Sequence, residues 1–383
     1  MMSLTRRELL AGFAASPLLT AEPADAPFDR IDTHIHLNRS APEIVSGFRQ
    51  TRWRALTICD SRATGDEPPD LPEQVQGAIK LHRESGGLIA WATSFDARPF
   101  ERPDFAETTI AALNKCFKQE AIAVKIWKNV GMGIRSKSGA YLMPDDPALF
   151  PIYEAIQKQG KTLVAHLAEP DGAWLPLNSQ NPELAYYSAH REWYQYGRPG
   201  APAKQAILRA RDSVLARYPK LRVVGAHLGS NESDLGALGK RLDTYPNFAV
   251  DMAARIRYLA AGNRSTVQEF LNRYQDRITY GTDFVWRGQS EQQAWKIVET
   301  AHDRDWKFFS GRGEMAYGRH KTQGLALPER ILRKIFYENP ARWFPGIAQY
   351  ALFLPDFTRT AHHLPRYRRQ GSRISCTGLK TPS

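Results

Sequence analysis

Short apolar runs alternate with amphipathic stretches along most of this chain, and the alternation predicts its architecture. The runs are FDRIDTHIH (28–36), RALTICD (54–60), LIAWATSF (88–95), AIAVKIW (121–127), KTLVAHL (161–167), LRVVGAHL (221–228), FAVDMA (248–253) and RITYGTD (277–283). Each has the length and character of a strand buried on both faces. Between them lie helical patterns. In AILRARDSVLARYPK, Ile207, Leu208, Val214, Leu215 and Tyr218 fall on one face, and Pro219 follows as a stop. Eight strands alternating with helices predict parallel β-α units closed into a (β/α)8 TIM barrel, an α/β fold.

Two stretches depart from the rhythm. The connection from Glu169 to Gly200 is long and rich in aromatics: Trp174, Tyr186, Tyr187, Trp193, Tyr194 and Tyr196. A connection of that length is expected to cover a site as a lid or to pack its rings onto the barrel. After the eighth run, SEQQAWKIVETAHDR reads as the eighth helix and PERILRKIFYENPARWF as a terminal one. From residue 349 to 383 periodicity is lost, and a poorly ordered tail is expected.

Charge changes this picture little. The formal net charge is +12, and Arg359, Arg366, Arg368, Arg369, Arg373 and Lys380 against Asp356 place about five of those charges in the tail. The body carries no nucleic-acid motif, so a small-molecule substrate is expected and nucleic acid is not. Cys59, Cys116 and Cys376 have neither zinc-finger nor disulfide-framework spacing. At the N-terminus, Arg6-Arg7 precede a short apolar run and Ala24-Asp25-Ala26 has the form of a cleavage site, resembling a twin-arginine export signal over residues 1–26. The expected location is the periplasm or outside a bacterium, with the barrel at 27–348 and no stable membrane insertion, since no run reaches the roughly 20 residues a span needs.

The chemistry gathers at the ends of the runs. His34 and His36, two apart in a strand, point to one side. His166 ends the fifth run, His227 the sixth and Asp283 the eighth. All five sit at carboxyl ends of predicted strands, the face on which barrel enzymes place their sites. Together, DTHIH, AVKIW, VAHL, VVGAHLGS, YGTDF and the ending ILRKIFYENPARWF resemble the amidohydrolase superfamily. The branch resembled is the amidohydrolase-2 family, which includes aminocarboxymuconate-semialdehyde decarboxylase and related hydrolases.

The resemblance implies that His34, His36, His166 and Asp283 hold one divalent cation, with water at the open position. Zinc suits these donors and manganese is the alternative. His227 would orient or deprotonate the water or polarise a carbonyl, and Asp283 would pass the proton to a leaving group. Lys125 ends the fourth run: unmodified it would meet a substrate carboxylate or carbonyl, and carboxylated it would bridge two metals, as in other branches. Arg255, Trp127 and His190 are further candidate substrate contacts, with Glu169 and Lys128 beside them. A homodimer is expected from the same resemblance. The reactions in view are hydrolysis of an ester, lactone or amide of a cyclic or aromatic, anionic molecule, and non-oxidative decarboxylation of an aromatic or unsaturated acid. A noncatalytic binding barrel is the third reading.

Overall fold

The computed structural model describes residues 26–67 and 70–349; the expected export signal and the basic tail lie outside them. Each predicted run contains one strand: β1 Arg30–His36, β2 Trp53–Ile58, β3 Ile89–Ser94, β4 Ala123–Ile126, β5 Thr162–Ala165, β6 Arg222–Gly225, β7 Phe248–Asp251 and β8 Ile278–Thr279. A further short strand, β9 Phe284–Val285, follows β8 after four residues. The sheet runs β8-β7-β6-β5-β4-β3-β2-β1-β9 with parallel pairing, so the eighth run is one strand in two pieces: β8 joins β7 and β9 joins β1. Between them, Tyr280 O accepts the Thr33 amide at 2.9 Å and the Thr33 hydroxyl at 2.7 Å. These bonds close the sheet on itself, and the fold is the (β/α)8 barrel. The break differs from the continuous strand expected; Gly281 lies so close to β1 that a methyl there would sit 2.8 Å from His34 Cβ.

Helices follow the strands in turn: α1 Pro42–Gln50, α2 Leu71–Glu84, α3 Phe105–Lys118, α4 Phe150–Lys158, α5 Leu184–Ala189 within the long connection, α6 Lys204–Arg217, α7 Leu235–Thr244, α8 Arg264–Arg273 and α9 Glu291–Ser310. The start of α9 is fixed by a capping box, in which Ser290 and Gln293 bond each other's backbone amides. The predicted terminal helix is three consecutive pieces, Glu329–Arg333, Lys334–Glu338 and Asn339–Trp343. Its Trp343, with Phe344 and Ile347, packs against Ile31, Leu56, Val164 and Val224. This plug fills the amino end of the barrel and leaves the carboxyl end for chemistry. A hairpin, β10 Glu314–Tyr317 with β11 His320–Gln323, was not read from the sequence; β11 is wholly polar, β10 runs Glu-Met-Ala-Tyr, and neither shows the apolar alternation that marks a strand. Among the described residues, no helix is long and apolar enough to cross a membrane.

The long connection is held down at several points. Asn181 Nδ2 donates to Gly172 O at 2.8 Å, and the Gln195 and Tyr196 amides donate to Ala173 O at 2.9 Å. Glu183 takes Arg257 on both oxygens, at 2.9 and 2.8 Å. Part of the connection packs, as Tyr187 does in full burial, and part faces the carboxyl end of the barrel.

The β1–β8 seam gives a direct test. Gly281→Ala forces a methyl against His34 Cβ, and an overpacked core position costs about 1–3 kcal/mol. Denaturant unfolding is expected to show a lower midpoint with an unchanged slope.

Candidate metal centre

Three histidines share one device. His34 Nδ1 lies 2.8 Å from Asp251 Oδ2, His36 Nδ1 2.9 Å from Ile58 O and His227 Nδ1 2.8 Å from Ala253 O. Each partner is an oxygen acceptor, so each Nδ1 carries the hydrogen and each Nε2 keeps its lone pair. This arrangement sets the tautomer and ring orientation of metal-binding histidines. The Nε2 atoms of His34 and His36 each lie 3.5 Å from Asp283 Oδ1, close to the roughly 3.3 Å edge of a tetrahedron with bonds near 2.0–2.1 Å.

His34, His36 and Asp283 therefore form one tight group. His166 stands outside that group but faces the same cavity. Its ring meets His227 edge-on at 4.2 Å, and its Nε2 is buried with no hydrogen-bond partner among the described residues. Borderline imidazole and carboxylate donors and an orphaned buried nitrogen fit a divalent cation held by His34, His36 and Asp283 and reached by His166.

Protonation supports the same fit. Burial pushes His227 down to about 3 and His166 well below the ordinary histidine value, so both are neutral at pH 7. Burial alone would raise Asp283, but His227, His36 and His34 outweigh it and hold the carboxyl well below its usual range. Lys125 is fully buried, and burial lowers it to about 8 against the pull of Asp251, Asp283 and Asp60. Its Nζ lies 3.2 Å from His34 Nε2, an ammonium donating to the lone pair inferred above.

The backbone is strained where these side chains are presented. Ala168, Ala254 and Asp283 have φ of 66°, 55° and 64°, and His227, Leu228, Gly229 and Ser230 run consecutively at 56–60°. For residues other than glycine, this left-handed region costs about 1–3 kcal/mol each and is held only where the surroundings demand it. The Asp283 amide donates to His34 O at 2.8 Å, and the His227 amide to Asp251 Oδ1 at 2.8 Å.

Above the histidines opens a cavity of about 420 Å³. Trp127, expected from the sequence, stands in it perpendicular to Trp193 at 4.8 Å, and Tyr186 stacks on His190 at 4.5 Å. The Lys128 ammonium lies 4.5 Å from the Trp193 ring and pairs with Glu169, which also accepts the Tyr187 hydroxyl at 2.9 Å. Arg62, fixed by Asp60 through bonds of 2.7 and 3.0 Å, and Arg287 add positive charge to the wall. Lys125, Trp127 and His190 thus line the cavity as expected. Arg255 is buried beside them, with Nε 3.9 Å from Glu232 Oε2 and its charge acting on His227 and Asp283. The sequence reading missed Asp251, which lies inside the run FAVDMA at the end of β7, and Asp60, which ends the run RALTICD. A carboxylate buried in such a run must be paired.

The depressed His227 has a measurable consequence in metal-free protein. Between its folded value of about 3 and its ordinary 6.5, the unfolded chain binds a proton that the folded chain does not. Stability is then expected to fall as pH drops below about 6.5, and His227→Asn to flatten that slope in denaturant titrations.

A family model described as amidohydrolase matches residues 31–346. Among solved structures, the chain is similar to a 4-oxalomesaconate hydratase from Rhodopseudomonas palustris (12% identity, 83% of this chain and 96% of that one, TM-score 0.44). It is also similar to an amidohydrolase from Pseudomonas aeruginosa (13% identity, 84% and 97%, TM-score 0.40) and to amidohydrolase 2 from Bifidobacterium longum subsp. infantis (10% identity, 83% and 98%, TM-score 0.39). No match was found among curated proteins. The chain belongs to the amidohydrolase family and is an enzyme of that family.

Proposed function

We propose that this enzyme is a hydrolase with one divalent metal, zinc or alternatively manganese, acting on an ester, lactone or amide of a cyclic or aromatic anionic molecule. The observation that carries this reading is the convergence of His34 Nε2, His36 Nε2 and Asp283 Oδ1, at 3.5 Å, beside neutral His227 under an aromatic wall. When bound, the cation supplies a Lewis acid and brings a coordinated water from a pKa of about 15.7 to about 7. His227, with Nδ1 committed to Ala253 O, offers Nε2 as the acceptor for the water's proton. The proton that His227 takes would pass by way of Asp283 to the leaving group, which returns both side chains to their starting state. Trp127, Trp193 and Tyr186 stack on the substrate ring and exclude bulk water. Arg62 and Arg287 favour an anionic substituent.

A non-oxidative decarboxylase draws on the same wall. Lys125 favours this second reading, because a buried ammonium lowered to about 8 is an acid fit to protonate a carbon that has lost carbon dioxide. Export through Arg6-Arg7 and cleavage after Ala26 suit the hydrolase, whose only co-substrate is water.

Two variants and a substrate panel test the reading. His36→Ala is expected to lose the metal in elemental analysis and turnover with it. Asp283→Asn is expected to keep the folded barrel, by circular dichroism, and to lose about 10²–10⁴-fold in rate, the scale of general acid–base catalysis. On lactones, esters, amides and aromatic acids, the expected product carries a new hydroxyl or amine. Carbon dioxide released without either would replace the hydrolase with the decarboxylase.

A further inference from the structure

The Asp32 carboxylate lies two residues before His34, the first of the metal centre's donors, yet it faces away from the cavity, toward the helix layer. It is fully buried. Its Oδ1 accepts the His34 amide at 3.0 Å and the Thr282 amide at 3.1 Å. Its Oδ2 accepts the Thr282 hydroxyl at 2.7 Å and lies 3.1 Å from His302 Nε2. A carboxylate oxygen accepts, so Nε2 carries the hydrogen and donates it. Three of these four bonds come from His34 and Thr282, and Thr282 precedes Asp283. The fourth comes from α9, outside the barrel.

We propose that His302 is a positioning residue for Asp283. Its Nε2–H fixes Asp32, and Asp32 holds Thr282 by both amide and hydroxyl, so that Asp283 keeps its left-handed turn with Oδ1 toward His34 and His36. The turn needs such support. Asp283 has φ of 64°, and Gly281, two residues earlier, lies against His34 with no room for a side chain. The His302 ring has no slack to pass on. It stacks on Trp53 at 3.8 Å and 13°, and meets Phe48 edge-on at 5.6 Å and Tyr280 at 5.9 Å. Its Nδ1 is buried without a hydrogen-bond partner among the described residues, so Nε2 is its working atom. Helix α9, which touches no cavity residue through His302, thereby reaches the metal centre by two hydrogen-bonded steps.

The inference rests on Asp283 being a metal ligand, and the experiment separates the two ideas. Zinc is titrated into metal-free wild type, H302F, H302Q, T282V and the H302F/T282V double variant, with unfolding of each metal-free protein measured in parallel. Phe keeps the ring stack and removes the donor; Gln restores a donor without the ring. H302F is expected to bind zinc about 10–100-fold more weakly, the usual effect of removing an outer partner of a metal ligand. H302Q is expected to recover part of that loss, and T282V to show a similar weakening. The double variant should fall short of the product of the single effects, because both act through Asp32. Zinc affinity unchanged in H302F and H302Q while unfolding midpoints fall would overturn the proposal and leave His302 a packing residue. Multiplicative effects in the double variant would overturn it as well. Should H302F fail to fold, H302Q and T282V carry the same comparison: zinc binding as tight as wild type in both overturns it. A wild type that takes up no zinc would instead sink the metal-centre reading itself.

Discussion

A sheet that closes on itself sets its first strand beside its last, and that single constraint assembles this enzyme's centre. His34 and His36 come from β1 and Asp283 from the end of the chain's eighth run, roughly 250 residues away. They meet because Thr33 bonds Tyr280 O through both its amide and its hydroxyl, and because the Asp283 amide donates to His34 O. The seam is also where the strand breaks. A continuous strand would alternate its side chains in and out; the interruption lets Asp283 turn back toward the two imidazoles.

Around the seam, the protein removes freedom from each donor. An imidazole has two nitrogens, and the wrong tautomer would bring a hydrogen where a lone pair is needed. Asp251, Ile58 O and Ala253 O settle that choice for three rings at once. Burial then keeps the His227 ring neutral, while neighbouring side chains hold Asp251 and Asp283 charged against the cost of their own burial, the state a cation requires. Asp251 does most here, since it takes the His34 ring on one oxygen and the His227 and Ala253 amides on the other.

Much of this was legible in the sequence, for physical reasons. A barrel strand buried on both faces must be a short apolar run, so eight runs showed, and a polar residue ending such a run is conspicuous. That is how His34, His36, His166, His227 and Asp283 stood out. Asp251 and Asp60 sat at or near the ends of strands too, but in runs without a histidine, which left them out of the reading. Other features had no local signature. His302 lies on the buried face of an ordinary amphipathic helix, and its partner is 270 positions away. The short hairpin after α9 lacks apolar alternation. The pairing of Arg255 with Glu232 depends on packing that spacing does not encode.

The left-handed backbone at the ends of β5, β6, β7 and the eighth run sets one further condition on how this protein can change. Four strand ends hold high-energy conformations, and only Gly229 among these seven residues is built for one. Glycine at Ala168 or Ala254 would relieve local tension, yet it would also loosen the loops that aim His166 and lock His227 through Ala253. A substitution that eases the backbone at these addresses therefore works against the hold on the donors.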